Sequence, residues 1–414
     1  MKSILAKYRK LDRFIVDLLI AEFFLQFVNA AFSMLNNFYM AKEGYHDYQI
    51  ADFTFYRYLT VLLIALPFGI YIKGRRIKPW FYISTIGVPI MALFAIWAIH
   101  HHYDQLIKLS FSLWSGTYTF LQVAGLPFIM ANSKEEHHGR SIALFFMMGN
   151  IATFICGSIS FVLNHYYQQV FDVQVLLVIY SIIGLVGAYF IYRIKIKEHV
   201  SEKQPNISFH KDYDWGKVLQ AIVPTIIIST GAGLTIQFIS LFFLYVHGVQ
   251  EDVFSLMNAV SFLFVALSVL VIPEIKDRFG YRVAIIWVQA IAVVFLILMA
   301  STEWYQHLWF AAPLAITFFL IRQPFMNVAG PVTSELTLNF VGKRNQQLLT
   351  AINSAIWSGC WAISSQIFAG LRSSNVHYSN ILLTTAALYS LGVFWYHFLI
   401  KAHQRQLSKP SNHD

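Results

Sequence analysis

"FLQVAG", residues 120–125, returns as "FMNVAG" at 325–330, an offset of 205 in a chain of 414 residues. Two further echoes share almost the same offset. Arg140 is answered by Arg344, and "GIYIKGRR" from Gly69 by "PEIKDRFG" from Pro273, each 204 residues on. Several matches at one spacing near half the chain length read as a duplicated unit.

Composition says what is duplicated. The chain is 57% hydrophobic and 12% charged, against roughly 25% charged in soluble domains. Its apolar runs each approach the ~20 residues a helix needs to cross a ~30 Å hydrocarbon layer. Hydropathy and turn signals place twelve helices at roughly 14–40, 49–72, 79–100, 107–131, 140–163, 172–194, 217–246, 254–274, 281–300, 306–332, 346–370 and 378–400. The first run is too long for a signal peptide and lacks a small-residue cleavage site. Of the thirty Lys and Arg residues, only Lys42, Lys108 and Arg372 fall in the segments expected outside, and Arg57 and Arg322 lie within helices. The rest alternate onto one side, which puts both termini in the cytoplasm.

That placement also disposes of other classes. A net charge of +9 would suggest nucleic acid in a soluble chain, but here the basic residues follow the membrane, and no nucleic acid is expected. Cys156 and Cys360 sit in apolar segments, so neither a disulfide framework nor a cysteine metal site is expected. The "HHH" at 100–102 has no further ligands near it in sequence and reads as solvated. No P-loop is present, so ATP does not drive the chain by itself. No metal and no cofactor are expected.

Between the second and third helices, and again between the eighth and ninth, the chain resembles the major facilitator superfamily, whose loop signature runs approximately G-x-L-x-D-R-x-G-R-[KR]. Asp277, Arg278, Gly280 and Arg282 fit it in the second half, with Pro273 for the first glycine and Tyr281 for an arginine. In the first half Gly69 and Arg76 belong to the equivalent loop, but Lys73 stands where the aspartate would be. The resemblance covers essentially the whole chain. It implies an all-α polytopic membrane protein of twelve transmembrane helices in two pseudo-symmetric six-helix bundles: 1–194, a cytoplasmic central loop at 195–216, and 217–414. It also implies a cytoplasmic gating loop in which Gly69, Lys73, Arg76, Asp277, Arg278, Gly280 and Arg282 pair across helices. Repeats of this kind mark secondary transporters, with the site near mid-membrane. The Gly-Pro motif of the family's drug antiporters is missing from "MMGNIATFICGSIS", and Thr119 stands near the place of their helix-four arginine.

A charge inside the bilayer costs at least ~2.5–3.5 kcal/mol and is expected to face protein or a wet cavity. Glu22 and Arg57 each lie eight residues into their helices, about 12 Å from opposite ends, leaving a depth gap of ~6 Å that two long side chains span. Glu22 is therefore the expected partner of Arg57. Glu22, Gln26, Asn29, Ser33 and Asn36 fall along one helical face and read as a cavity wall, or as packing contacts between helices. Asp17, four residues after Arg13, reads as an i, i+4 pair. Arg322, in "FFLIRQPFMNVAGP", has no acidic residue of its own half deep enough to meet it, so its partner is a first-half carboxylate, the cytoplasmic interface or an anionic part of a ligand. Gln237, Asn327, Trp357 and Trp361 are further candidates for polar or stacking contacts.

The expected function is secondary active transport of a small solute, an anion among the options, by alternating access in a bacterial-style cytoplasmic membrane. Glu22 is the candidate for proton coupling, and the carrier is expected to work as a monomer in the lipid bilayer. It is not expected to be an enzyme. The competing readings are a transporter-like sensor without turnover and a membrane-embedded lipid-modifying enzyme using His165, His247 or His307 as base.

Overall fold

The computed structural model describes residues 12–72, 74–133, 135–196, 198, 214–342 and 346–407. Lys73, Arg344 and most of the central loop lie outside them. The described residues form twelve helical rods and no strand. In chain order they are α1 (Arg13–Lys42), α2 (Asp47–Tyr71), α3 (Lys78–His100), α4 (Asp104–Asn132), α5 (Glu135–Tyr167) and α6 (Val173–Arg193). The second set is α7 (Trp215–His247), α8 (Glu251–Tyr281), α9 (Arg282–Trp287 continuing through Val288–Ser301), α10 (Ala311–Val341), α11 (Gln346–Ser373) and α12 (Tyr378–Leu407). At ~1.5 Å per residue the 30 residues of α1 extend about 45 Å, more than a hydrocarbon core needs.

Local chemistry fixes the ends. His46 and Gln49 make a reciprocal capping box at the start of α2. Pro79 stands in the first turn of α3, where no N–H is required. Asp172 accepts from the N–H of Val175 at 2.8 Å to open α6, and Asp214 does the same for Lys217 at 3.2 Å to open α7. That exposed carboxyl is held below its usual range, first by the hydrogen bond from the Lys217 side chain. Gly280 adopts φ +77°, a left-handed conformation that parts α8 from α9 where the family signature has its glycine.

The chain folds as two compact units. The first holds the described residues of Met1–Asn206 with Gln250–Ala259, the second those of Ile207–Val249 and Val260–Asp414. In the first, α1 packs on α5 and α6, and α3 on α4 and α6. In the second, α7 packs on α11 and α12, and α9 on α10 and α12. Adding six to each helix number converts one set into the other, so the sequence repeat is a repeat of packing.

The first turns of α8 belong to the first unit. Glu251, 1% exposed, accepts from Lys42 Nζ and, at 3.4 Å, from Asn164 Nδ2. His165 Nδ1 stands 2.8 Å from Asp252. An orienting carboxylate for His165, not evident in the sequence, is therefore present. The expected Asp17–Arg13 pair is replaced by Arg193, whose Nη2 lies 3.5 Å from Asp17 Oδ1; the end of α6 passes closer to Asp17 than its own helical neighbour does.

Candidate functional site

In the first unit the polar face of α1 is answered by α4 and α2. Glu22 is 1% exposed. Its Oε1 accepts from Gln26 Nε2 at 2.7 Å, and Gln122 Nε2 reaches both carboxylate oxygens, at 2.9 and 3.2 Å. Gln26 Oε1 in turn accepts from the Tyr118 hydroxyl at 3.1 Å and from Asn29 Nδ2 at 3.3 Å. Asn29 Oδ1 accepts from Arg57 Nη2 at 2.8 Å. The guanidinium also lies 4.1 Å from the centroid of Trp114 and 5.4 Å from that of Tyr58, distances at which a cation is attracted to a ring face.

Glu22 and Arg57 are thus joined through Gln26 and Asn29, not in contact as their depths suggested. Depth along the membrane leaves the lateral separation open, and two amides fill it. Among the described residues no cation forms an ion pair with Glu22. Amides give the carboxylate hydrogen bonds without neutralising it, so protonation there removes a buried charge. Of the remaining stripe, Ser33 bonds, among the described residues, to the Ala30 carbonyl of its own helix at 3.1 Å, and the buried Asn36 turns its Nδ2 toward Met40 Sδ at 3.4 Å.

Two members of this network, Tyr118 and Gln122, were not singled out from sequence. Trp114, Tyr118 and Gln122 recur every fourth residue on α4, which aligns them on one face. That spacing was the available signal, within the same stretch that carries the repeat.

In the second unit α7, α9, α10, α11 and α12 line a partly open cavity of about 280 Å³. Asn327 and Trp357 line it. Arg322 is 1% exposed, and its Nε and Nη2 have no hydrogen-bond partner among the described residues. Its Nη1 reaches Gln323 Oε1 only at 3.5 Å. The guanidinium lies 5.8 Å from the ring centroid of Tyr389 and interacts with its hydroxyl, which has no partner of good hydrogen-bond geometry among the described residues. Among the described residues no carboxylate pairs with Arg322.

Gln237 is placed differently. Its Nε2 donates to the Gly233 carbonyl at 2.9 Å and to that of Trp361 at 3.3 Å, while Ser365 donates to its Oε1 at 3.2 Å. It pins a short 3-10 turn of α7, Ile236–Phe238, to α11. At the signature loop Arg76, Asp277, Arg278 and Arg282 are exposed. Asp277 meets only its neighbour Lys276, at 3.6 Å, among the described ion pairs. Close by, Glu335 on α10 accepts from Lys276 Nζ at 3.0 Å and from the Tyr281 hydroxyl at 2.9 Å. Among the described residues no cluster of three or more His, Cys, Asp or Glu could hold a metal.

Two six-helix units with one order of packing, each closing over buried polar side chains, define a polytopic membrane carrier. The chain belongs to the Major Facilitator Superfamily, whose sequence description it matches over residues 18–365. Its fold is similar to that of a bacterial homologue of the iron transporter ferroportin in an inward-facing state, with a TM-score of 0.75 at 11% identity over 95% of this chain and 99% of the other. A variant of the nucleoside transporter NupG gives 0.73 at 12% identity, over 93% and 99%. A D-xylose-proton symporter gives 0.71 at 11%, over 93% and 97%. No curated protein matches the sequence.

Proposed function

We propose that this membrane transporter is a proton-coupled secondary carrier, moving a small solute across a bacterial cytoplasmic membrane by alternating access, with both termini in the cytoplasm and Glu22 as the coupling group. The observation that carries the reading is the setting of Glu22: buried, held by Gln26 and Gln122, and linked through Gln26 and Asn29 to Arg57 without an ion pair. A carboxylate so placed changes its charge without breaking a salt bridge, as a proton carrier must on every cycle. The solved symporter of similar fold supports this, since that protein couples its sugar to protons by name. The solute is read as negatively charged because of Arg322, which lacks any counter-charge of its own among the described residues.

The test is reconstitution in proteoliposomes with an imposed pH gradient. Glu22→Gln keeps the hydrogen-bonding shape and removes the titrating oxygen. It is expected to abolish gradient-driven accumulation while leaving solute exchange at equal pH. Driven accumulation at the wild-type rate in this variant would rule Glu22 out as the coupling group.

A further inference from the structure

We propose that the cavity inside the second unit is a binding site for a small organic monoanion, with Arg322 as its counter-charge; the proposal rests on the reading of the chain as a carrier and names the chemical class of its cargo. Its starting point is the unmet guanidinium. A buried cation with two unpartnered nitrogens is costly, and the fork of a guanidinium matches a carboxylate's two oxygens.

Helical geometry ties that cation to the cavity. Met326, Gly330 and Thr333 of α10 line it, and Arg322 precedes them at the spacings 4, 4 and 3 of one helical face. Arg322 is not itself in the lining set, but its chain neighbour Gln323 is, and the guanidinium stands beside the ring of Tyr389, which also lines the cavity. The Tyr389 hydroxyl is a donor without an acceptor. Also in the lining, Gln289 Oε1 and Asn353 Oδ1 are buried and have no hydrogen-bond partner among the described residues. They suit a hydroxyl or amide on the ligand's far end.

Charge and shape narrow the class. None of the lining side chains is ionisable as acid or base near neutrality, so among the described residues the counter-charge falls to Arg322, beside the lining Gln323. A dianion would leave a negative charge uncompensated. Ile228, Ile236 and Trp357 give the ligand's carbon body apolar surface. A volume of about 280 Å³ lies just below the ~300–1,000 Å³ typical of ligand pockets. The cargo is therefore a compact monocarboxylate or an equivalent monoanion.

The experiment is equilibrium binding to the full-length protein in lipid nanodiscs without a gradient. The probes are acetate, lactate, gluconate and benzoate, compared with neutral benzamide and dianionic phthalate. At least one monocarboxylate is expected to bind saturably, with benzamide and phthalate at least about tenfold weaker than benzoate-class acids, since a charge-assisted pair is lost or a charge left over. Arg322→Gln is expected to weaken the monoanion about tenfold or more. Asn327→Trp fills the cavity from an exposed position and touches no charge, so it is expected to remove binding while thermal unfolding stays that of a folded protein. Absence of saturable binding by every monocarboxylate, equal competition by benzamide or phthalate, or unchanged affinity in either folded variant overturns the proposal. Gly370→Ala, at a position with open space for a Cβ, is expected to bind as the wild type does. Binding without proton-driven flux would overturn the coupling role of Glu22 alone, and flux without monoanion binding would overturn this site alone.

Discussion

Arg57 and Arg322 are the two basic side chains within apolar helices, and their surroundings treat them oppositely. Arg57 is met by an amide oxygen 2.8 Å away and by the face of Trp114; Arg322 has a long contact to Gln323 and the more distant ring of Tyr389. The first arrangement makes Asn29 the link on which Arg57 depends. Asn29→Leu is expected to destabilise the protein by ~1.5–3 kcal/mol, the range for a hydrogen bond to a charged group, and to lower the thermal unfolding midpoint. Ser33→Ala, four residues on, removes only a bond to its own helix backbone and is expected to leave the midpoint almost unchanged. Equal midpoints for the two variants would mean that Arg57 is held by its aromatic neighbours. The involvement of Glu22, Gln26 and Asn29 was legible, because a helix repeats every 3.6 residues and their spacing is visible. Their partners on α4 were harder to read, since the rotation of one helix against another is set by packing that a single sequence does not state.

Where two helices approach determines what each element tolerates. A Cβ built on Gly233 of α7 would lie 2.7 Å from Ser364 Cβ and 3.1 Å from Trp361 Cα on α11. Small residues permit this close approach in membrane bundles, where packing rather than hydrophobicity joins helices. Gly233→Val is expected to cost ~1–3 kcal/mol or more through overpacking. Gly370, on α11, has open space where its Cβ would be, and Gly370→Ala is expected to be neutral or to gain up to ~1 kcal/mol from helix propensity. Thermal unfolding of the two purified variants checks the contrast, and similar midpoints would contradict it. At this scale the twelve rods were legible from apolar run length, and the break at Gly280 from the signature loop. The break of α6 at Leu185 and the 3-10 turn at Ile236–Phe238 were not. Hydropathy is blind to them, because each substitutes one apolar backbone path for another. Gln237 shows the local cause in α7: its side-chain amide takes the Gly233 carbonyl, the acceptor that a regular helix assigns to residue 237's own N–H.

Across the whole molecule the repeat assigns equivalent places to unlike charges. The offset of 205 that aligns "FLQVAG" with "FMNVAG" pairs Gln122, which holds Glu22, with Asn327, which lines the cavity near Arg322. Duplication thus preserved the polar segment on α4 and α10, while the acid lies beside one copy and the base beside the other. The sequence displayed that segment twice, yet its match was legible as ancestry before it was legible as a site, since only packing shows which side of α4 or α10 is enclosed. The division has an energetic consequence if each unit contributes one charge to the cycle. One proton carried at Glu22 and one monoanion neutralised at Arg322 move no net charge, so transport responds to pH difference and not to membrane potential. In proteoliposomes with an alkaline interior, the monocarboxylate that binds is expected to accumulate above the level in protein-free liposomes, which corrects for leakage of the free acid. A potassium diffusion potential set with valinomycin at equal pH is expected to drive no accumulation in either polarity. Potential-driven uptake, or a transport current on a supported membrane, would show that a second proton or another ion accompanies the solute, and the one-acid, one-base account of the two units would then fail.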